Sequence, residues 1–246
     1  MTPDTGVAPA VAVASLRSAI LADGATDARD ARGPKDAAAR VAAVTADLCI
    51  RDLHAVFLAA RADALRRHLS LGIPHHVTDA TLADIPSKIT AYGTSVDRPW
   101  LVGLMRADVL GIGRLQFERV AADEGRGIHI PEGGPLTPAD VDASLAAARD
   151  LLGHAPLVCT SWVFDPTLRA LPPTSNIRGF VGRFDVDDAV ASESADHSVA
   201  RFVFRRPLAD VLDPTSVTPA TRVERIVAEH LRGGLHWSEP RATLRQ

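Results

Sequence analysis

A chain of 246 residues, 46% hydrophobic and 23% charged, is long enough for one large domain or two small ones and too apolar to be disordered. Its formal net charge of −3 gives no basic field for a nucleic acid or an anionic membrane surface, and its two cysteines, Cys49 and Cys159, have the spacing of neither a zinc site nor a disulfide framework. The apolar run VAPAVAVASL has no cationic segment before it and Arg17 soon interrupts it, so the chain reads as cytoplasmic, without a membrane span or a metal.

Residues 1–35 are rich in Ala, Asp, Gly, Pro and Thr and carry only a weak helical pattern at Val13, Leu16 and Ile20, which predicts a mobile N-terminal arm. From Asp36 the apolar residues Val41, Val44, Leu48, Leu53, Val56, Phe57, Ala60 and Leu65 recur at helical steps, predicting two helices or one kinked helix to about Ser70. Leu71-Gly72-Ile73-Pro74 ends that segment, and a further helix over residues 81–92 is expected to kink or split at Pro86. In GRLQFERV the period changes. Leu115 and Phe117 alternate with Gln116 and Glu118, which is strand spacing. Strand-like runs follow over residues 128–131, 157–164, 179–186 and 199–205, interrupted by a helix from Pro138. A last helix starts near Pro219 or Thr221, with Thr221 and Glu224 spaced as a capping box. The order places a helical domain over residues 36–97 ahead of an α+β domain over 98–246.

The stretch GIHIPEGGPLTPADVDASLAAARDLL, Gly127 to Leu152, joins a strand to a glycine loop and a helix. Thr137 caps that helix and Pro138 fills its first turn, where no amide hydrogen is needed. A helix start fed by Gly133-Gly134 is a natural seat for a phosphate or another anionic oxygen. The same residues also serve as an ordinary turn and cap, and Glu132, Asp140 and Asp142 put negative charge close to the seat.

GRLQFE (Gly113 to Glu118), HIPEGGPLTPADVDASL (His129 to Leu145), CTSWVFDP (Cys159 to Pro166), LPPTSNI (Leu171 to Ile177), FVF (Phe202 to Phe204) and HLRGGLHW (His230 to Trp237) occur in that order. In series they resemble a bacterial acyltransferase family in which a helical N-terminal domain precedes a domain of the GNAT superfamily of N-acyltransferases. The resemblance spans roughly residues 45 to 237. It implies an α+β fold, a mostly antiparallel sheet flanked by helices, in which two neighbouring strands splay apart to receive the pantetheine arm of an acyl thioester. It makes residues 128–131 the strand that offers backbone hydrogen bonds through Ile128 and Ile130, with Gly133, Gly134 and Thr137 at the phosphate, and residues 157–164 the splayed neighbour. Two departures stand out. The superfamily's phosphate signature, Arg or Gln followed by Gly-x-Gly or Gly-x-Ala, is replaced by EGGPLTPADV. Where related members read Cys-His-Ser-Trp, this chain has Cys159-Thr160-Ser161-Trp162.

Acyl transfer to an amine requires removal of the amine's proton, stabilisation of the oxyanion and protonation of the departing thiolate. With Leu115 and Phe117 facing a core, Gln116 and Glu118 fall on the opposite face of their strand, and Glu118 is a candidate general base or an ordinary ion-paired carboxylate. His129 is the second candidate base. Ser161 is a hydroxyl able to hold the thioester carbonyl or protonate the thiolate, and it is not set in the Gly-x-Ser-x-Gly elbow of a serine hydrolase. Gln116, Thr160 and Asn176 are candidate substrate contacts. The resulting expectation is an N-acyltransferase moving an acyl group from acyl-CoA or an acyl-phosphopantetheine on a carrier protein to an amine of a small molecule or peptide, in biosynthesis such as secondary metabolism. A binding protein that has lost catalysis, or the same scaffold used for thioester hydrolysis or cyclisation, is the alternative.

Overall fold

The computed structural model describes residues 7–21 and 34–245. In them the chain is α+β, helices first and then strands of mixed direction among further helices, and it divides into two units. The first runs to Val120 and takes in Ile130–Glu132; the second comprises Ala121–His129 and the chain from Gly133 onward.

The first unit begins where the sequence suggests a mobile arm, and here the expectation is corrected. Val7–Leu21 form a helix, α1, whose Ala12, Leu16, Ala19 and Ile20 share one buried face. Arg17 ties α1 down, its guanidinium donating to Ala59 O at 3.2 Å and pairing with Asp63 at 3.1 Å. The short apolar stripe was diluted by alanine in the sequence, which hid its periodicity. The remainder of the expected arm, residues 1–6 and 22–33, lies outside the described residues. Three helices follow in place of the expected one or two: α2 (Pro34–Val44), α3 (Ile50–Ala59) and α4 (Arg61–Ser70), the last two separated by Ala60 alone.

Helix α5 (His75–Tyr92) runs through Pro86 without a break. Pro86 stands on the exposed side of the helix. Asp97 caps α6 (Arg98–Met105) by accepting from Trp100 N at 3.0 Å. An antiparallel hairpin then pairs β1 (Val109–Ile112) with β2 (Leu115–Glu118), from Val109 opposite Glu118 to Ile112 opposite Leu115. Helix α5 lies directly on this hairpin: Gly111 N donates to Thr81 Oγ1 at 2.8 Å, and Gln116 Nε2 donates to Asp84 Oδ2 at 2.8 Å. Both faces of β2 are therefore covered. Gln116, on the face opposite Leu115 and Phe117, is only 2% exposed.

In the second unit β3 (Arg126–His129) leads through α7 (Pro138–Leu152) to β4 (Leu157–Thr160), which lies parallel to it. The chain continues through α8 (Asn176–Val181), β5 (Phe184–Val186), α9 (Glu193–Val199), α10 (Leu208–Leu212), α11 (Arg222–Arg232) and β6 (Arg241–Leu244). Strand β6 sits between β4 and β5, antiparallel to both, giving the order β3, β4, β6, β5. Phe164, Phe180 and Phe184 pack ring to ring at 4.9–6.0 Å in the core of this unit. Thr221 and Glu224 close both bonds of the expected capping box on α11.

Four strand expectations are shortened or overturned, beginning with the run over residues 128–131, where β3 stops at His129. The run over residues 157–164 stops at Thr160, because Ser161 turns the chain into a 3₁₀ turn at Trp162–Phe164. Residues 176–181 are helix α8, started by Ser175, which accepts from Arg178 N; only Phe184–Val186 of that run is strand. Residues 199–205 are not a strand, since α9, capped by Ser192, passes into a wide helical turn at Ala200–Phe204 that ends on Arg205 with φ of 55°. Short apolar runs fit both periods, and the serine caps decide for helix.

Candidate active site

Strand β3 starts from a turn that only glycine permits: Gly125 has φ of 127°, and a Cβ there would stand 2.7 Å from Pro156 O. The next residue fastens β3 to the chain entering β4. Arg126 N donates to Pro156 O at 2.7 Å and its guanidinium donates to Leu152 O at 2.8 Å. Thus anchored, β3 pairs with β4 from Arg126 opposite Leu157 to Gly127 opposite Val158, and the ladder goes no further. Strand β4 meanwhile continues against β6 through Thr160 opposite Arg241. Beyond that point Ile128 and His129 on one strand, and Cys159 and Thr160 on the other, are not bridged to each other. Ile128 is buried and His129 half-buried, the alternation of a strand with one face on a core.

The glycine loop and helix start take the form expected. Gly133 and Gly134 are exposed, with φ of 117° and 70° and open space where side chains would be. Thr137 accepts from Asp140 N at 3.2 Å and donates to Asp140 Oδ2 at 2.5 Å. The charge around the helix start differs from the sequence expectation. Asp142 is paired with Arg183 at 2.9 Å. Glu132 turns to partners within the first unit, Lys88 and Tyr92. Only Asp140 remains at the first turn of α7.

The other residues singled out in the sequence are dispersed. Gln116 and Glu118 lie on β2 and Ile130 also belongs to the first unit, whereas His129, Thr160, Ser161 and Asn176 belong to the second. Glu118 is half-buried, opposite Val109 in the hairpin. Thr160 is exposed at the end of β4; Ser161 Oγ accepts from Val163 N at 3.4 Å; Asn176 is the first residue of α8. Cys159 is no nucleophile, since burial pushes its thiol up to about 12.

Two polar clusters were not legible in the sequence. In the second unit Asp165 accepts from Thr167 N at 2.8 Å, Ser238 N at 2.8 Å and Ser238 Oγ at 2.6 Å, while Trp237 Nε1 donates to Trp162 O at 3.0 Å. These bonds join CTSWVFDP to the residues that follow HLRGG, so both motifs hold the fold. Beside them Asp196 accepts from Trp237 N and pairs with His236 Nδ1, each at 2.6 Å, and the hydrogen bond to that carboxylate raises the pKa of His236. In the first unit Lys88 Nζ lies 2.6 Å from Glu132 Oε2 and 3.6 Å from Asp84 Oδ2, and Tyr92 donates its hydroxyl to Glu132. The i, i+4 spacing of Asp84 and Lys88 was the available signal for this second cluster; its partner 44 residues on was not.

Among the described residues no group of three or more His, Cys, Asp or Glu stands where it could hold a metal ion, and no helix is long and apolar enough to cross a membrane. Residues 109–244 match the family described as GNAT-like C-terminal domain. The chain has no match among curated proteins. Among solved structures it is similar to an acyltransferase in complex with decanoyl-CoA and teicoplanin, with a TM-score of 0.76 and 26% identity over 99% of this chain and 80% of that one. An acyltransferase in complex with decanoyl-CoA matches with a TM-score of 0.72 and 26% identity over the same shares of the two chains. An acyltransferase with CoA and 10C-teicoplanin, at 24% identity over 100% of this chain and 89% of that one, has a TM-score of 0.69 and shares the fold.

Proposed function

The chain belongs to the family of the GNAT-like C-terminal domain, and from that premise we propose that it is an acyltransferase taking an acyl group from acyl-CoA and delivering it to an amine on a small molecule. The observation that carries this reading is the likeness, over 99% of the chain, to an acyltransferase in complex with both decanoyl-CoA and teicoplanin. The early end of the β3–β4 ladder supports it, since the two strands are not bridged to each other beyond Gly127 and Val158, where a slender ligand would enter.

In the reaction the amine attacks the thioester carbonyl, the new C–N bond forms, the C–S bond breaks, the amine's proton passes to a base and the thiolate leaves as free thiol after protonation. Main-chain groups at Ile128 and Ile130 hold the pantetheine arm, and Gly133, Gly134 and Thr137 receive the phosphate end through amides at the start of α7. Glu118 is the proposed general base and His129 the second; Ser161 supplies a hydroxyl to the carbonyl or the thiolate. Thr160 and Asn176 are proposed to contact the substrate.

Incubation with decanoyl-CoA is expected to release free thiol at a rate that depends on added amine. Thiol release indifferent to amine would identify a hydrolase, and donor binding without release a protein that has lost catalysis. Glu118→Gln is expected to lower kcat by about 100-fold or more while donor affinity changes by less than about twofold. Parallel losses in both would remove Glu118 from the chemistry.

A further inference from the structure

Asp84, Lys88 and Glu132 form a nearly buried cluster of two carboxylates and one ammonium, with side chains 10%, 11% and 15% exposed. The donors within it are unevenly shared. Glu132 receives both Lys88 Nζ and the Tyr92 hydroxyl. Asp84 accepts from Gln116 Nε2 at 2.8 Å and stands farther from Lys88, at 3.6 Å. That bond fixes which way the Gln116 amide points, because the flipped amide would set two acceptors 2.8 Å apart. Its Oε1 is thereby left buried with no hydrogen-bond partner among the described residues. A carboxylate served by one amide donor and a buried carbonyl served by none thus lie on the same pair of side chains, and the charges of Asp84, Lys88 and Glu132 sum to one negative. Asp84 registers the shortfall: burial raises its pKa, and the pull of Lys88 does not cancel this.

We infer that Asp84 and Gln116 bind a primary ammonium group, which on the proposed function is the amine of the acyl acceptor. An ammonium has three N–H donors, enough for an Asp84 oxygen and Gln116 Oε1 together, and its charge brings the cluster to neutrality. Lys88 does not fill this role itself, being drawn to Glu132 and lying over the Trp100 ring at 5.8 Å. A water molecule satisfies the two acceptors but leaves the charge unbalanced. A hard divalent cation needs six or more oxygens, which this cluster lacks, and Lys88 repels it.

The test is calorimetric titration of the full chain with butylammonium chloride, with n-butanol as the uncharged control. The wild type is expected to bind the ammonium and not the alcohol. Asp84→Asn, which keeps the bond to Gln116, and Gln116→Leu, which removes the carbonyl, are each expected to weaken ammonium binding about tenfold or more, while decanoyl-CoA affinity stays within about twofold. The unchanged donor affinity shows that both variants are folded. An ammonium that does not bind the wild type, or that binds all three proteins alike, overturns the inference. Ammonium binding without acylation of any amine in the presence of decanoyl-CoA leaves the cation seat standing and refutes the proposed reaction instead.

Discussion

Asp165→Ala is expected to cost about 3–5 kcal/mol, read as a fall in the denaturant midpoint. One carboxylate, buried to 5% exposure, accepts all three bonds from Thr167 N, Ser238 N and Ser238 Oγ. Alanine leaves three donors facing a side chain that accepts nothing, and a buried donor without a partner costs about 1–3 kcal/mol. Asp165→Asn keeps one acceptor oxygen in place and is expected to cost less. The loss extends beyond the local turn, because Ser238 follows Trp237, whose indole N–H donates to Trp162 O from a fully buried ring. A cost below about 1 kcal/mol for the alanine variant would show that the two motifs are not held together by this carboxylate.

Lys88→Met is expected to destabilise the protein by a similar amount, about 3–5 kcal/mol at neutral pH, because it leaves Glu132 and Asp84 as buried carboxylates without their cation. The double variant Lys88→Met with Glu132→Gln is expected to recover most of the loss, since the buried charge goes with its partner. The pH dependence should also reverse in sign. In the native protein burial pushes the Glu132 pKa up, but hydrogen bonds from Lys88 and Tyr92 pull it down further, to a net value below the ordinary one. Its contribution to stability is therefore present above the unfolded-state pKa and lost as pH falls through the folded one. Without Lys88 the burial prevails and Glu132 is raised, so the single variant should gain stability as the solution is acidified through the carboxylate range. Equal urea midpoints for native protein and single variant at pH 7 would show that Lys88 is not the compensating charge.

The architecture was legible where periodicity and caps agreed. Thr137-Pro138 and the Thr221/Glu224 box are local signals, and both helices begin where those residues say. The second unit was blurred where apolar runs were short, as in residues 199–205, because the helix there is set by Ser192 and by packing. Strand β6 was missed because four residues, Arg241 to Leu244, carry no pattern of their own and are ordered by their neighbours on both sides. Of the candidate site, the glycine loop and the end of the ladder after Gly127 lie within a continuous stretch of chain and its pairing partner. The Asp84, Gln116 and Glu132 cluster depends on α5 covering β2, a packing relation 32 residues apart in sequence for Asp84 and Gln116. No motif length reaches that far.

The account turns on whether the unbridged ends of β3 and β4 take the thioester arm. Amide hydrogen exchange of the full chain, with and without decanoyl-CoA, reads this directly. Ligand should slow exchange at Ile128 and His129 and across residues 133–140, leaving the β4–β6 pairing from Val158 to Thr160 unchanged. Binding that protects other segments while those amides exchange as before would place the donor elsewhere and contradict the account.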